Sequence, residues 1–214
     1  MKIDFHVHTG YSICSNMKPA EAVRAAEQAG LDAIALINHD LKPVKFKGSK
    51  KVKVIHGVEV TTKEGHLLVI NTNKSFPKKT PAQEVINNVE KDALVIIPHP
   101  FDLFRKGLSK KLKSLTSYHA VEVNGRCLLP SFNDKARAFA KEKGKPLTGG
   151  SDAHFTGEVG NAYTIVNARS IKGAIKKVKQ GKTKVFIRER PVTNRLKYFF
   201  KSIGLEAASF LRQS

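Results

Sequence analysis

Short apolar runs recur along this chain, and most of them lead into a histidine or a carboxylate. Ala33 to Ile37 and Leu94 to Ile97 are unbroken apolar segments of strand length, the pattern of strands covered on both faces in a parallel sheet. The first leads into Asn38-His39-Asp40 and the second into Pro98-His99-Pro100. Val52 to His56 leads into Gly57-Val58-Glu59, Ala120 to Val123 ends around Glu122 and Asn124, and Pro146 to Thr148 leads into Gly149-Gly150-Ser151-Asp152-Ala153-His154. His66 opens a further strand to Ile70. Near the start, Lys2 to Phe5 runs into His6-Val7-His8; residues two apart in a strand share a face, so both imidazoles can converge on one ion.

Helical segments separate these strands. Pro19 opens a helix to about Ala29 with Gly30 placed to end it, and Thr80 caps a helix running from Pro81 through Glu90. Helical character returns at Ser109 to Leu115 and again at Asn133 to Lys143, closed by Gly144. Strands at Tyr163 to Val166 and Lys184 to Ile187 flank a helix at Ser170 to Gln180, and Arg195 to Leu211 reads as a basic amphipathic helix. Strands alternating with helices predict an α/β fold with a parallel sheet. Ligands after strand upon strand predict that the sheet closes into a barrel, because an open sheet gathers its site at one switch point. With 214 residues, 41% hydrophobic, and no repeat or linker, residues 1–214 are expected to form one domain, with a basic C-terminal helix within 191–214 packed on it.

His6, His8, His39, His66, His99 and His154 all fall at strand ends or beside them, joined by Glu59 and Asp152. Imidazole with carboxylate is the donor set of zinc, manganese and iron sites, and the lack of a cysteine cluster argues against a structural zinc finger. His56 and His119 read as ordinary partly buried histidines. Cys14 and Cys127 are too few for a disulfide framework, nothing at the start reads as a signal peptide, and no apolar run approaches the roughly 18 residues that cross a bilayer. A cytoplasmic protein with no membrane partner is expected. The formal charge of +20 favours polyanionic partners, with Lys42, Lys45, Lys47, Lys50, Lys51 and Lys53 crowded in one segment. Lysine enrichment also accompanies hot or salty cytoplasm, so nucleic acid and a merely solvated surface both stay open. The spacing of Tyr198, Phe199 and Phe200 suits packing on a core better than stacking on bases.

Asp4-Phe5-His6-Val7-His8-Thr9, Asn38-His39-Asp40, Gly57-Val58-Glu59, His66-Leu67-Leu68, Pro98-His99-Pro100 and Gly150-Ser151-Asp152-Ala153-His154 together resemble the motifs of the PHP (polymerase and histidinol phosphatase) metallo-phosphoesterases. The resemblance covers nearly the whole chain. It implies a distorted seven-stranded (β/α) barrel, TIM-like, holding two to three divalent ions, zinc or manganese with iron admissible. It further implies that His6, His8, Glu59 and Asp152 bind one ion, that Glu59 bridges to a second held by His66 and His99, and that His39 and His154 hold a third. Cys14 stands about where the third position usually has another ligand, either as that ligand or as a small buried thiol; Asn38 stands where Asp is common. Glu59, Asp152 and His154 would be central to catalysis, with Arg126 and Arg105 reaching a substrate phosphate. The implied activity is hydrolysis of a phosphate ester of a nucleotide or small metabolite by a metal-activated water. An exonuclease on DNA or RNA is the alternative. A noncatalytic RNA-binding subunit, like the ribonuclease P protein sharing this barrel, fits less well because it needs no His/Asp/Glu set.

Overall fold

The apolar runs become strands buried on both faces, as their lack of polar alternation requires. In a computed structural model that describes residues 1–108, 111–188 and 191–211, they are β1 (Lys2–Val7), β2 (Ala33–His39), β3 (Lys53–Thr61), β4 (His66–Ile70), β5 (Leu94–Ile97), β6 (Ala120–Asn124), β7 (Leu147–Gly150), β8 (Ala162–Val166) and β9 (Thr183–Ile187). The helices are α1 (Pro19–Gln28), α2 (Ala82–Asn87), α3 (Pro130–Glu142), α4 (Ile171–Lys179) and α5 (Val192–Leu211). All nine strands form one sheet in the order β7-β6-β5-β4-β3-β2-β1-β8-β9.

Two expectations are corrected here. The sheet holds nine strands rather than seven, because the hairpin β8–β9 adds to β1 from outside the β1-to-β7 series. It is mixed rather than parallel: β1, β2 and β3 are parallel, as are β5, β6 and β7, but β4 runs antiparallel to both neighbours. The short connection from Thr61 to His66 leaves no room for the crossover helix that a parallel β4 would need. Boundaries shift too. Helix α2 ends at Asn87 rather than Glu90, and Thr80 donates its hydroxyl to the Pro77 carbonyl instead of capping. The helical segment expected at Ser109–Leu115 reduces to a 3₁₀ turn at Leu112–Ser114, with residues 109 and 110 outside the described residues. Ser170 does cap α4, accepting from the Gly173 amide at 3.1 Å.

Residues two apart build the interior. Ile3 and Phe5, Ala33, Ala35 and Ile37, Ile55, Leu68 and Ile70, Leu94 and Ile96 pack as one cluster, together with Ala174, Ile175 and Val178 of α4. The opposite face of β2, Ile34 and Leu36, packs on Ala22, Val23 and Ala26 of α1. No helix among the described residues is long and apolar enough to cross a membrane.

The ring nearly closes where the chain leaving β7 meets β1. Fully buried Asp4 makes the seam: its Oδ1 accepts from the amides of Ser151 (2.8 Å) and His6 (3.2 Å), its Oδ2 from that of Gly160 (3.0 Å). Next to it the His8 amide donates to the Ala153 carbonyl at 2.8 Å. The glycines of β7 are required here, since a Cβ on Gly149 would lie 2.6 Å from the Tyr163 carbonyl oxygen. Asp4→Ala leaves several buried N–H groups without acceptors at about 1–3 kcal/mol each, so it is expected to cost on the order of 3 kcal/mol, and Asp4→Asn less. Urea denaturation of the three proteins checks this; equal midpoints would show that the seam does not depend on the carboxylate.

Candidate metal centre

The interior apolar rows end, at one rim of the barrel, in polar side chains of the same register. The row Ala33, Ala35, Ile37 continues to His39, and the row from Ile55 through Gly57 continues to Glu59. On β4 the row runs backwards, from Ile70 through Leu68 to His66. Being antiparallel, β4 has its first residue level with the end of β3, so His66 pairs with Thr61 and Leu68 with Glu59. Strand β1 changes face by a register shift between Asp4 and Val7, which turns His6 and His8 inward where Ile3 and Phe5 had pointed.

Glu59, 1% exposed, stands at the middle. Its Oε2 lies 3.1 Å from His8 Nε2, 3.2 Å from His6 Nε2 and 3.4 Å from His39 Nδ1. Its Oε1 lies 2.8 Å from His66 Nδ1 and 3.3 Å from His99 Nε2. One carboxylate thus faces two separate groups of imidazoles. Asp152 comes in from the loop after β7, with Oδ1 3.4 Å from His8 Nε2 and 3.6 Å from His6 Nε2. His154 follows it, its Nδ1 2.8 Å from the Asp152 carbonyl oxygen. Both His99 and Asp152 take positive φ, 29° and 55°, a conformation that costs of order 1–3 kcal/mol for such residues. Three-residue donor groups form at His6/His8/Glu59, His6/His99/Asp152 and His39/Glu59/His66, and a four-residue group at His8/Cys14/His39/His154.

This donor set fits cations. With Nδ1 directed at Glu122 Oε1 at 3.0 Å, a neutral His6 ring has its lone pair at Nε2, which faces carboxylate oxygens of Glu59 and Asp152. His66 Nδ1 and Glu59 Oε1 are 2.8 Å apart without hydrogen-bond alignment. Lone pair facing lone pair is stable only with positive charge between. A proton is one such charge: burial opposes it on His6, yet Asp152, Glu122 and Glu59 outweigh burial and hold the pKa well above the usual histidine range, so a metal ion binding at Nε2 would take that proton's place. Burial likewise opposes charge on Glu59, and the cluster of imidazoles around it nonetheless holds it well below the carboxylate range. Desolvation dominates at His39, pushed down to about 3, and at His154, pushed well below its ordinary value, so both present the neutral imidazole that ligates metal.

Around the donors lies a layer that sequence reasoning passed over. Glu122, 1% exposed on β6, accepts from His6 Nδ1 and, through Oε2, from the His99 amide at 3.1 Å, so it orients one histidine in each group. Asn124 donates to Glu122 at 2.8 Å. A Cβ on Gly150 would meet Glu122 Oε1 at 2.1 Å and His6 Cβ at 2.7 Å, so the glycine is dictated by this pair. The available signal was period two: Ala120, Glu122 and Asn124 form one row.

The centre opens into a cavity of about 660 Å³ whose walls include Cys14, His39, Glu59, His66, His99, Asp152 and His154. Arg105 and Arg126 also line it, and both already hold protein acids. Arg105 grips Asp152 and lies 3.1 Å from Asp102; Arg126 Nε donates to Glu158 at 3.1 Å, and its Nη2 holds α5 through Ser202 and the Tyr198 carbonyl (2.9 Å). Glu158 in turn accepts from the His154 amide at 3.0 Å. Lys78, Lys79 and Lys106 complete the cationic side of the mouth, whereas none of the lysines from Lys42 to Lys53 lines it. Tyr198 packs on Phe155 and Phe199 on Phe104, while Phe200 is 63% exposed. Away from the centre, His119 Nδ1 accepts from the Val95 amide at 2.9 Å and serves the sheet, and His56 is half-buried on β3.

Residues 130–183 match a family model described as PHP-associated (PHP_C). The uncharacterized protein MJ0417 of Methanocaldococcus jannaschii is 34% identical over 174 residues, covering 76% of this chain and 69% of that protein. Among solved structures, PsfC from Pseudomonas syringae shares the fold with a TM-score of 0.68 at 16% identity, over 97% of this chain and 98% of its own. Endonuclease Q, solved with a duplex bearing an abasic lesion at the active site, gives 0.61 at 18% identity, over 86% of this chain and 57% of that one. A Bifidobacterium adolescentis protein assigned as a metal-dependent phosphoesterase gives 0.55 at 17%, over 72% and 88%. With a relative of this identity across most of both chains, and a PHP-associated segment containing Asp152 and His154, this chain belongs to the PHP domain family.

Proposed function

We propose that the protein is a metal-dependent phosphoesterase that hydrolyses a phosphate ester of a nucleotide or small metabolite. The observation that carries this reading is Glu59, a buried carboxylate whose two oxygens face two different imidazole groups. In this reading His6, His8, Glu59 and Asp152 hold one divalent ion, Glu59, His66 and His99 a second, and His39 with His154 a third. Imidazole and carboxylate suit zinc or manganese and admit iron. Such ions, when bound, make water a nucleophile near neutral pH and neutralise phosphoryl oxygens.

The chain's own residues set the geometry. Glu59, Asp152 and His154 act as ligands at the floor of the mouth, and Glu122 fixes the ring of His6 and the backbone of His99. Against burial, His6 and Arg105 hold Asp152 in its charged form, and Arg105 and Arg126 line the cavity through which a phosphoryl oxygen would enter. An exonuclease on DNA or RNA is the second reading, because Lys78, Lys79 and Lys106 at the mouth suit a phosphate chain.

Asp152→Ala and His8→Ala are each expected to lower kcat on a small phosphoester by at least ~10²-fold with the circular dichroism spectrum unchanged. Turnover near wild type in either would exclude the assigned roles. Glu122→Gln is expected to weaken metal affinity by about 10–100-fold, read by competition with a chelator. For the second reading, oligonucleotide affinity is measured against salt, with Lys78, Lys79 and Lys106 at the mouth changed to Ser. A nuclease predicts a steep slope, reduced in the variant, with hydrolysis of p-nitrophenyl phosphate unaltered; weak binding indifferent to salt leaves only the small-substrate reading.

A further inference from the structure

The loop between β1 and α1 turns its residues against their hydrophobic order. Ile13 is 55% exposed and Tyr11 56%, while the smaller Cys14 between Ile13 and Ser15 is 2% exposed. Burial of apolar area alone would choose Ile13 for the inside. Two flanking serines hold the loop in this pose. Ser12 Oγ donates to Asn38 Oδ1 at 3.0 Å and accepts from the His39 amide at 3.1 Å, and Ser15 Oγ donates to the His154 carbonyl at 2.8 Å. Cys14 is therefore anchored on both sides to the segments that carry His39 and His154. Its sulfur belongs to a group with His8, His39 and His154 in which the donor atoms all lie within 4.8 Å of one another. His8 Nε2 is already turned to Glu59 and Asp152, which leaves one thiol and two imidazoles.

We propose that Cys14 ligates the third ion as a thiolate beside His39 and His154, making that position selective for zinc over manganese while the Glu59 positions keep only nitrogen and oxygen donors. This rests on the metal-centre reading above. On binding, the sulfur–metal bond forms as the S–H bond breaks, and the proton leaves to solvent. A thiolate with two imidazoles is a three-ligand zinc set whose fourth tetrahedral position stays open, suited to a phosphoryl oxygen. Soft sulfur is a poor partner for manganese, so excess manganese would displace zinc from the Glu59 positions before this one.

The test loads the whole protein with Co(II) and records the near-ultraviolet thiolate-to-cobalt charge-transfer absorption, with bound metal counted. The band is expected in the wild type and in Cys127→Ser. It is expected to vanish in Cys14→Ser, with the loss of one bound ion per chain. X-ray absorption of the zinc-loaded wild type needs no variant and is expected to show sulfur at about 2.3 Å. Cobalt bound with no band, or zinc with no sulfur neighbour, overturns the assignment of Cys14 and leaves the Glu59 centre standing. Failure to bind cobalt or zinc at all overturns both.

Discussion

A buried carboxylate among five imidazoles cannot stand without positive charge, and that requirement at Glu59 organises the rim of the barrel. The surrounding residues answer it in layers. Glu122 orients the ring of His6 and turns its Nε2 to the centre, His6 and Arg105 keep Asp152 ionised against burial, and Gly150 gives up a side chain so that Glu122 and His6 can meet. Strained backbone at His99 and Asp152 fits the same account, since neither would adopt positive φ unless its surroundings held it there. The donors are not placed by apolar packing; apolar packing supplies the floor beneath them.

Much of this was legible because a strand carries its own ruler. Once Ala33, Ala35 and Ile37 are read as an inward row, His39 must point inward as well, and the same step leads from Ile55 to Glu59. Other features were hidden for equally physical reasons. The register shift in β1 begins at Asp4, whose hydrogen-bond partners Ser151 and Gly160 lie far away in the chain. Glu122 looks in sequence like one acid in an apolar strand, and only the approach of His6 and His99 gives it a task. The direction of β4 could be reasoned from the tight Thr61–His66 connection, but the alternation of strands with helices along the rest of the chain favoured a parallel sheet. The addition of β8 and β9 to β1 depends on sheet edges, which local propensity does not describe.

Charge is divided between places with different geometry. The crowded lysines of residues 42–53 lie on a connection between parallel strands, which must travel from one end of the barrel to the other, so most of that charge is carried away from the mouth. The cations that do face the cavity, Lys78, Lys79, Arg105, Lys106 and Arg126, are scattered in sequence and come together only by folding. Net charge and charge at the centre are therefore separate properties of this chain.

The Asp4 seam has a consequence for how the protein comes into being. Its hydrogen bonds join residues 147 and 156 positions apart, so their formation must follow closure of a loop of that length, a slow event by loop entropy. His6 and His8 lie on one side of that seam and Asp152 and His154 on the other. A nascent chain emerging from the ribosome would hold its first two histidines long before their partners exist, and affinity for an ion would rise in the same step that closes the seam.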